Sequence, residues 1–170
     1  MVFSSFIFLF RFLPCFLIAY AVCPVKWKNQ ALFVGSLVFY AYGVRKTPVY
    51  LLLFLISLFL NWQLGAWIVQ ASEEKSRKQR LFAGVLFNLC SLMVFKYSGF
   101  FTGRGLLLPL GISFYTFQTL SYTIDVYRGK TKAERNIVNF AAFVTLFPQL
   151  IAGPIVKYTD VSRELRERKM

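Results

Sequence analysis

The chain has 170 residues, with 20 Lys or Arg against 7 Asp or Glu, for a formal net charge of +13. Hydrophobic residues make up 57%, aromatics 19% and charged residues only 16%, where soluble domains carry about 25% charge. So much Phe and Leu cannot all be hidden inside so small a globule, which excludes a water-soluble enzyme and a disordered tail. The bases sit between apolar runs rather than along one face, which excludes a nucleic-acid-binding domain.

Charges divide the chain into apolar stretches. Residues 12–25, 29–44, 47–72, 81–95, 105–124 and 136–156 contain no Lys, Arg, Asp or Glu. A helix needs about 20 residues to cross the hydrocarbon. The third, fifth and sixth stretches meet that length. The first does so once Met1–Phe10 is added, with Arg11 inside it, snorkelling or facing protein. Ala19-Tyr20-Ala21 resembles a signal-peptide cleavage site, but the basic leader is missing, so a span is the preferred reading. The second and fourth stretches are short and span only if Lys28, Arg45, Arg80 and Lys96 reach the headgroups. The expected fold is all-α: a polytopic transmembrane bundle of about five to six membrane-associated helical segments, one or more of them broken or re-entrant.

Lys and Arg cluster in alternate loops, at 26–28, 75–80 and 128–135, which places Glu73–Arg80 in the cytoplasm and the N-terminus outside. The basic tail, with Lys157, Arg163, Arg166, Arg168 and Lys169, then falls on the wrong side. One of the later stretches is therefore expected to fold back without crossing. Asn61-Trp62 and Trp67 near the end of the third stretch read as an interfacial anchor. Cys15, Cys23 and Cys90 are far apart and apolar-flanked, with no metal-ligand spacing, and no metal site is expected.

Residues 109–125 differ from the rest. At 100° per residue, Gly111, Tyr115, Gln118, Tyr122 and Asp125 share one narrow stripe, and Pro109 suits the first turn of such a helix. Polar side chains at membrane depth rarely face lipid, so the stripe faces a partner helix or a water-filled cavity. Interhelical packing explains it as well as a substrate cavity does. A second irregular element is Phe147-Pro148-Gln149 through Gly153-Pro154-Ile155. Its prolines end or bend a helix, and broken backbone at membrane depth survives only inside protein or beside a cavity.

The chain contains no His, the side chain most often used as a general base near neutral pH, so no Cys–His or Ser–His–Asp set can be assembled. Asp125 is the only acid close to the stripe. By itself the sequence offers a cavity without catalytic machinery.

Met1-Val-Phe-Ser-Ser5, Pro109-Leu-Gly-Ile-Ser-Phe-Tyr-Thr-Phe-Gln118 with Tyr122 and Asp125-Val-Tyr-Arg-Gly129, and Phe147-Pro-Gln149 with Ala152-Gly-Pro-Ile155 resemble the membrane-bound O-acyltransferase family. The likeness is to its bacterial branch, which acetylates alginate, and it covers nearly the whole chain in order. The resemblance implies a multi-pass enzyme of the bacterial inner membrane. Such an enzyme binds no cofactor and takes an acyl group from a thioester donor, acetyl-CoA or an acyl carrier. It passes that group to hydroxyls of an exported polysaccharide, with acetylation partner proteins on the outer side and no nucleic acid. It also implies a substrate tunnel lined by Ser113, Phe114, Tyr115, Gln118, Tyr122, Asp125, Gln149, Gly153 and Pro154. The family's essential His lies in a later helix, and no residue here corresponds to it. Residues 1–156 are accordingly expected to be the N-terminal part of an acyltransferase core, 157–170 a basic tail before further spans, and the chain inactive alone. D-Alanyl transfer to teichoic acid, or a non-catalytic scaffold or transporter subunit, are the other readings.

Overall fold

The computed structural model describes residues 6–45, 47–102, 111–146 and 158–161, with side chains in the long fourth helix described as far as Tyr97. The described residues are helical and contain no strand. A π-helical turn, Phe8–Phe12, runs into α1, Leu13–Val22. It is followed by α2, Lys28–Gly43; α3, Val49–Val69; α4, Glu74–Thr102; α5, Ile112–Tyr127; and α6, Ile137–Thr145.

Polarity is inverted relative to a soluble bundle. Two helical segments, Val49–Val69 and Glu74–Tyr97, are long and apolar enough to cross a bilayer. Their outward positions are occupied by Leu52, Ile56, Phe59 and Leu60 on α3 and Phe82, Leu86, Met93 and Val94 on α4, all exposed. Each would cost roughly 25 cal/mol per Å² in water; in lipid the cost vanishes. The interior instead collects Ser36, Asn61, Asn88, Thr116, Gln118, Thr119, Thr123, Asp125, Glu134 and Thr145. These side chains follow the rule that polar groups in a membrane protein turn toward protein.

Ring contacts fix the helix directions. Tyr50 meets Phe95 and Asn61 meets Asn88, so α3 and α4 run antiparallel. Phe54 meets Tyr115 and Gly65 lies against Tyr122, so α5 runs parallel to α3. At Gly65 an added Cβ would sit 2.6 Å from the Tyr122 hydroxyl, and the absent side chain is what admits the ring. A ladder of Phe8, Phe12 and Phe16, each four residues after the last, packs α1 on α2 through Phe39. α6 starts at the same end as α2, where Asn29 Nδ2 donates to Asn139 Oδ1 at 2.9 Å.

Both ends of α5 are set by glycine. Gly111, at φ 70°, is its N-cap and accepts from the Tyr115 N–H at 3.0 Å; the helix begins at Ile112, and Pro109 lies outside the described residues. At the other end Lys130 N donates to Asp125 O and Gly129 N to Val126 O, with Gly129 at φ 70°. This is a Schellman cap, and it gives the Asp125-Val-Tyr-Arg-Gly129 motif a physical reason, because the left-handed position needs glycine. Asn136 caps α6, accepting from the Val138 N–H at 2.9 Å.

The sixth apolar stretch does not cross as one helix. α6 has nine residues, about 14 Å at 1.5 Å per residue, and Leu146 leaves the helix at ψ 107°. Beyond it, Tyr158 lies against Tyr122 and Phe143 and donates to Glu134, just before the α6 N-cap. Glu134 and Tyr158, one on each side of that stretch, are therefore at the same end of the bundle. This puts Tyr158 level with the 128–136 loop; the basic residues of the tail lie outside the described residues.

Candidate functional site

The polar face of α5 is the centre of the bundle. Tyr115, Gln118, Tyr122 and Asp125 are all buried, with Gln118 2% and Tyr122 0% exposed. Thr116, Thr119 and Thr123 widen the stripe, and Thr119 and Thr123 turn their hydroxyls back onto the carbonyls of Thr116 and Thr119. In doing so they spend donors that lipid could not satisfy.

At mid-helix the stripe meets two amides. Asn88 Nδ2 donates to Asn61 Oδ1 at 2.7 Å and to the Gly84 carbonyl at 2.9 Å. Asn61 Nδ2 donates back to Asn88 Oδ1 at 3.2 Å and to the Ser57 carbonyl at 2.9 Å, and the Thr119 hydroxyl donates to Asn88 Oδ1 at 3.3 Å. One residue from each of α3, α4 and α5 is thus tied into a single network. Beside it a cavity of about 200 Å³ is lined by Ser57, Asn88, Ser91, Tyr115 and Thr116 among apolar side chains.

Toward the 128–136 loop the stripe ends in a knot around Glu134, which is 5% exposed. Its N–H donates to the Tyr122 hydroxyl at 2.9 Å, and its carbonyl accepts from Trp62 Nε1 at 2.7 Å. The carboxylate accepts from the Asn136 N–H at 3.0 Å and from the Tyr158 hydroxyl at 2.5 Å. One acid therefore joins α3, α5, the loop and the 158–161 turn. Glu134 and Trp62 also border a cavity of about 1130 Å³ together with Gln70, Arg77, Thr131, Lys132 and Arg135. Arg77 donates to the Tyr127 carbonyl at 2.8 Å, and the Tyr127 hydroxyl donates to Glu74 at 2.7 Å. An Arg on the last carbonyls of α5 satisfies groups that the helix leaves open and complements its dipole.

Of the residues expected from the sequence, Tyr115, Gln118, Tyr122 and Asp125 share the buried face, whereas Ser113 is half-buried and Phe114 is turned outward. Gln149, Gly153 and Pro154 lie outside the described residues. Asn61 and Trp62 both have interior partners. Asn61 is turned into the network and Trp62 onto the Glu134 carbonyl, while Trp67 remains exposed under the Arg80 guanidinium. Asn88 and Glu134 carry no spacing signal of their own. The only sequence cue was a lone amide in an apolar run and a lone acid in a basic loop.

No family model matches the chain, and no solved structure does. Curated proteins do. The probable alginate O-acetylase AlgI of Azotobacter vinelandii is 42% identical over 99% of this chain and 36% of its own length. That of Pseudomonas aeruginosa is also 42% identical, over 99% of this chain and 35% of its own. The peptidoglycan O-acetyltransferase of Helicobacter pylori is 28% identical over 99% of this chain and 39% of its own. The chain thus spans little more than a third of the length of these relatives. With the same motifs placed on the buried face and cap of α5, the chain belongs to the membrane-bound O-acyltransferase family.

Proposed function

We propose that the chain is part of an enzyme of the bacterial inner membrane, crossing it several times, that passes an acetyl group from a thioester to hydroxyls of an exported polysaccharide such as alginate. The observation that carries this reading is the unbroken polar face of α5, sunk in a bundle whose outside is apolar. Polar side chains at that depth face protein partners or a polar pathway. The small cavity at Tyr115 and Thr116 and the large one at Glu134 adjoin the two ends of that face. Arg77, Lys132 and Arg135 give the larger a cationic wall suited to the phosphates of coenzyme A or of an acyl carrier. The chain's residues would bind and orient; the attack of a sugar hydroxyl on the thioester carbonyl needs a base. None of these 170 residues is His, so that base comes from elsewhere and the chain alone does not catalyse. Acetylation partner proteins on the outer side would complete delivery to the polymer. The peptidoglycan-acetylating relative favours, as a second reading, a cell-wall glycan as the acceptor of the same transfer.

The test is made in a full-length alginate O-acetylase relative, at the position aligned with Gln118. Replacing it by Leu removes the buried amide while keeping the volume, and should lower acetyl transfer at least tenfold with insertion and abundance unchanged. Unaltered transfer would return the stripe to helix packing.

A further inference from the structure

On the outer side of α3 and α4 lies a largely apolar groove of about 310 Å³, with Asn61 and Gln63 in its lining. Its walls are Leu60, Leu64 and Trp67 on one helix and Ala83, Gly84 and Phe87 on the other. Each set follows helical spacing, so the groove runs along the helices rather than across them. It stays open because Gly84 lets Leu64 lie flat: a Cβ at position 84 would collide with the Leu64 side chain.

Arg80 lies on the same stripe of α4, one turn, about 5–6 Å, beyond Ala83 and Gly84. Its guanidinium is stacked over the Trp67 ring at 4.9 Å and donates to the Trp67 carbonyl. Trp67 holds the charge at the groove's mouth and prevents it from folding away along the helix. The carbonyl uses one of five N–H donors in the fork; the others are available to an anion at that level. The surrounding segment adds Lys75 and Lys78, while Arg77 is engaged by Glu74 and the Tyr127 carbonyl.

An apolar trough one helical turn from a fixed Arg matches the layout of a phospholipid, acyl chain below and phosphate above. We propose that this groove is a binding site for an anionic phospholipid, with an acyl chain against Ala83, Gly84 and Phe87 and the headgroup phosphate on Arg80. The site lies outside the acyl-transfer reading and does not depend on it. The guanidinium also selects among lipids. A zwitterionic headgroup brings its own cation to the mouth, whereas phosphatidylglycerol brings net negative charge, and each Lys or Arg near such a surface favours it by roughly fivefold.

The test uses the chain in vesicles of phosphatidylcholine mixed with phosphatidylglycerol, with bromine on the acyl chains of one lipid or the other at equal mole fraction. Bromine quenches Trp, and the share of the emission lost in Trp67→Phe identifies the signal from the groove. Brominated phosphatidylglycerol should quench that share with an apparent binding constant about threefold to fivefold above brominated phosphatidylcholine. Arg80→Gln should bring the ratio to about one. Ala83→Phe, at an exposed position that leaves the core untouched, should reduce quenching by both lipids. Equal quenching in the unsubstituted chain overturns the proposal, and that comparison needs no variant to fold. Absence of quenching by either lipid also overturns it, because the groove is then covered by protein, a second copy included.

Discussion

A single methyl group at position 65 should measurably destabilise the bundle. The Cβ of Gly65→Ala would lie 2.6 Å from the Tyr122 hydroxyl and 2.8 Å from its Cε1, so the ring has to move. It has little room, because Phe140 and Tyr158 stand 4.8 and 4.9 Å from it by ring centroid and the hydroxyl accepts from Glu134 N at 2.9 Å. Overpacking of this kind costs about 1–3 kcal/mol, offset by about 1 kcal/mol of better helix propensity for Ala over Gly. A net loss of up to about 2 kcal/mol is expected. Tyr122→Phe removes the nearest atom but leaves the buried Glu134 N–H without its acceptor, a cost of about 1–3 kcal/mol. In that background Gly65→Ala should cost less, giving a coupling of at least about 0.5 kcal/mol. Reversible unfolding in mixed micelles, followed by circular dichroism, measures all four corners of the cycle. If the two changes add within about 0.3 kcal/mol, or if Gly65→Ala stabilises, the ring does not rest on Gly65 and the packing argument fails.

Two further outcomes follow from the same geometry. Asn61→Ala and Asn88→Ala should each cost about 1–2 kcal/mol, since either leaves the opposite amide short of a partner. The double variant should cost less than their sum in the same unfolding measurement, and strict additivity would mean that the amides do not face each other. In a chain whose Cys15, Cys23 and Cys90 are replaced by Ala, cysteines introduced at Thr131 and Asp160 should react with an impermeant maleimide from one side of the membrane and a cysteine at Arg45 from the other. Labelling of position 160 together with position 45 would refute the return of the chain at Glu134.

Composition made the membrane class legible, because 57% hydrophobic residues in 170 positions leave a globule no way to cover its surface. Helical periodicity did the same for α5: Tyr115, Gln118, Tyr122 and Asp125 do share its buried face. Periodicity shows which side of a helix is polar but says nothing about what that side meets. Asn61 looked like part of an aromatic belt because its neighbour is Trp62, and its partner Asn88 is 27 positions away on another helix. Likewise 136–156 was long enough to span, since length counts residues without seeing that α6 stops at Thr145. The role of Glu134 was illegible for a related reason. Its bonds to Trp62, Tyr122 and Tyr158 reach residues at least 12 positions distant, and no local pattern encodes such contacts.

The measurement closest to the centre of this account is a nitroxide scan along 113–123 in a bilayer, reading collisions with oxygen, which dissolves in lipid, and with a nickel chelate, which stays in water. Oxygen accessibility should peak at Phe114 and Phe117, the exposed positions, and fall to a minimum at 115, 118 and 122, repeating every 3.6 residues. A flat profile, or a nickel-chelate maximum at 114 and 117, would contradict a helix whose apolar side meets lipid and whose polar side is enclosed by protein.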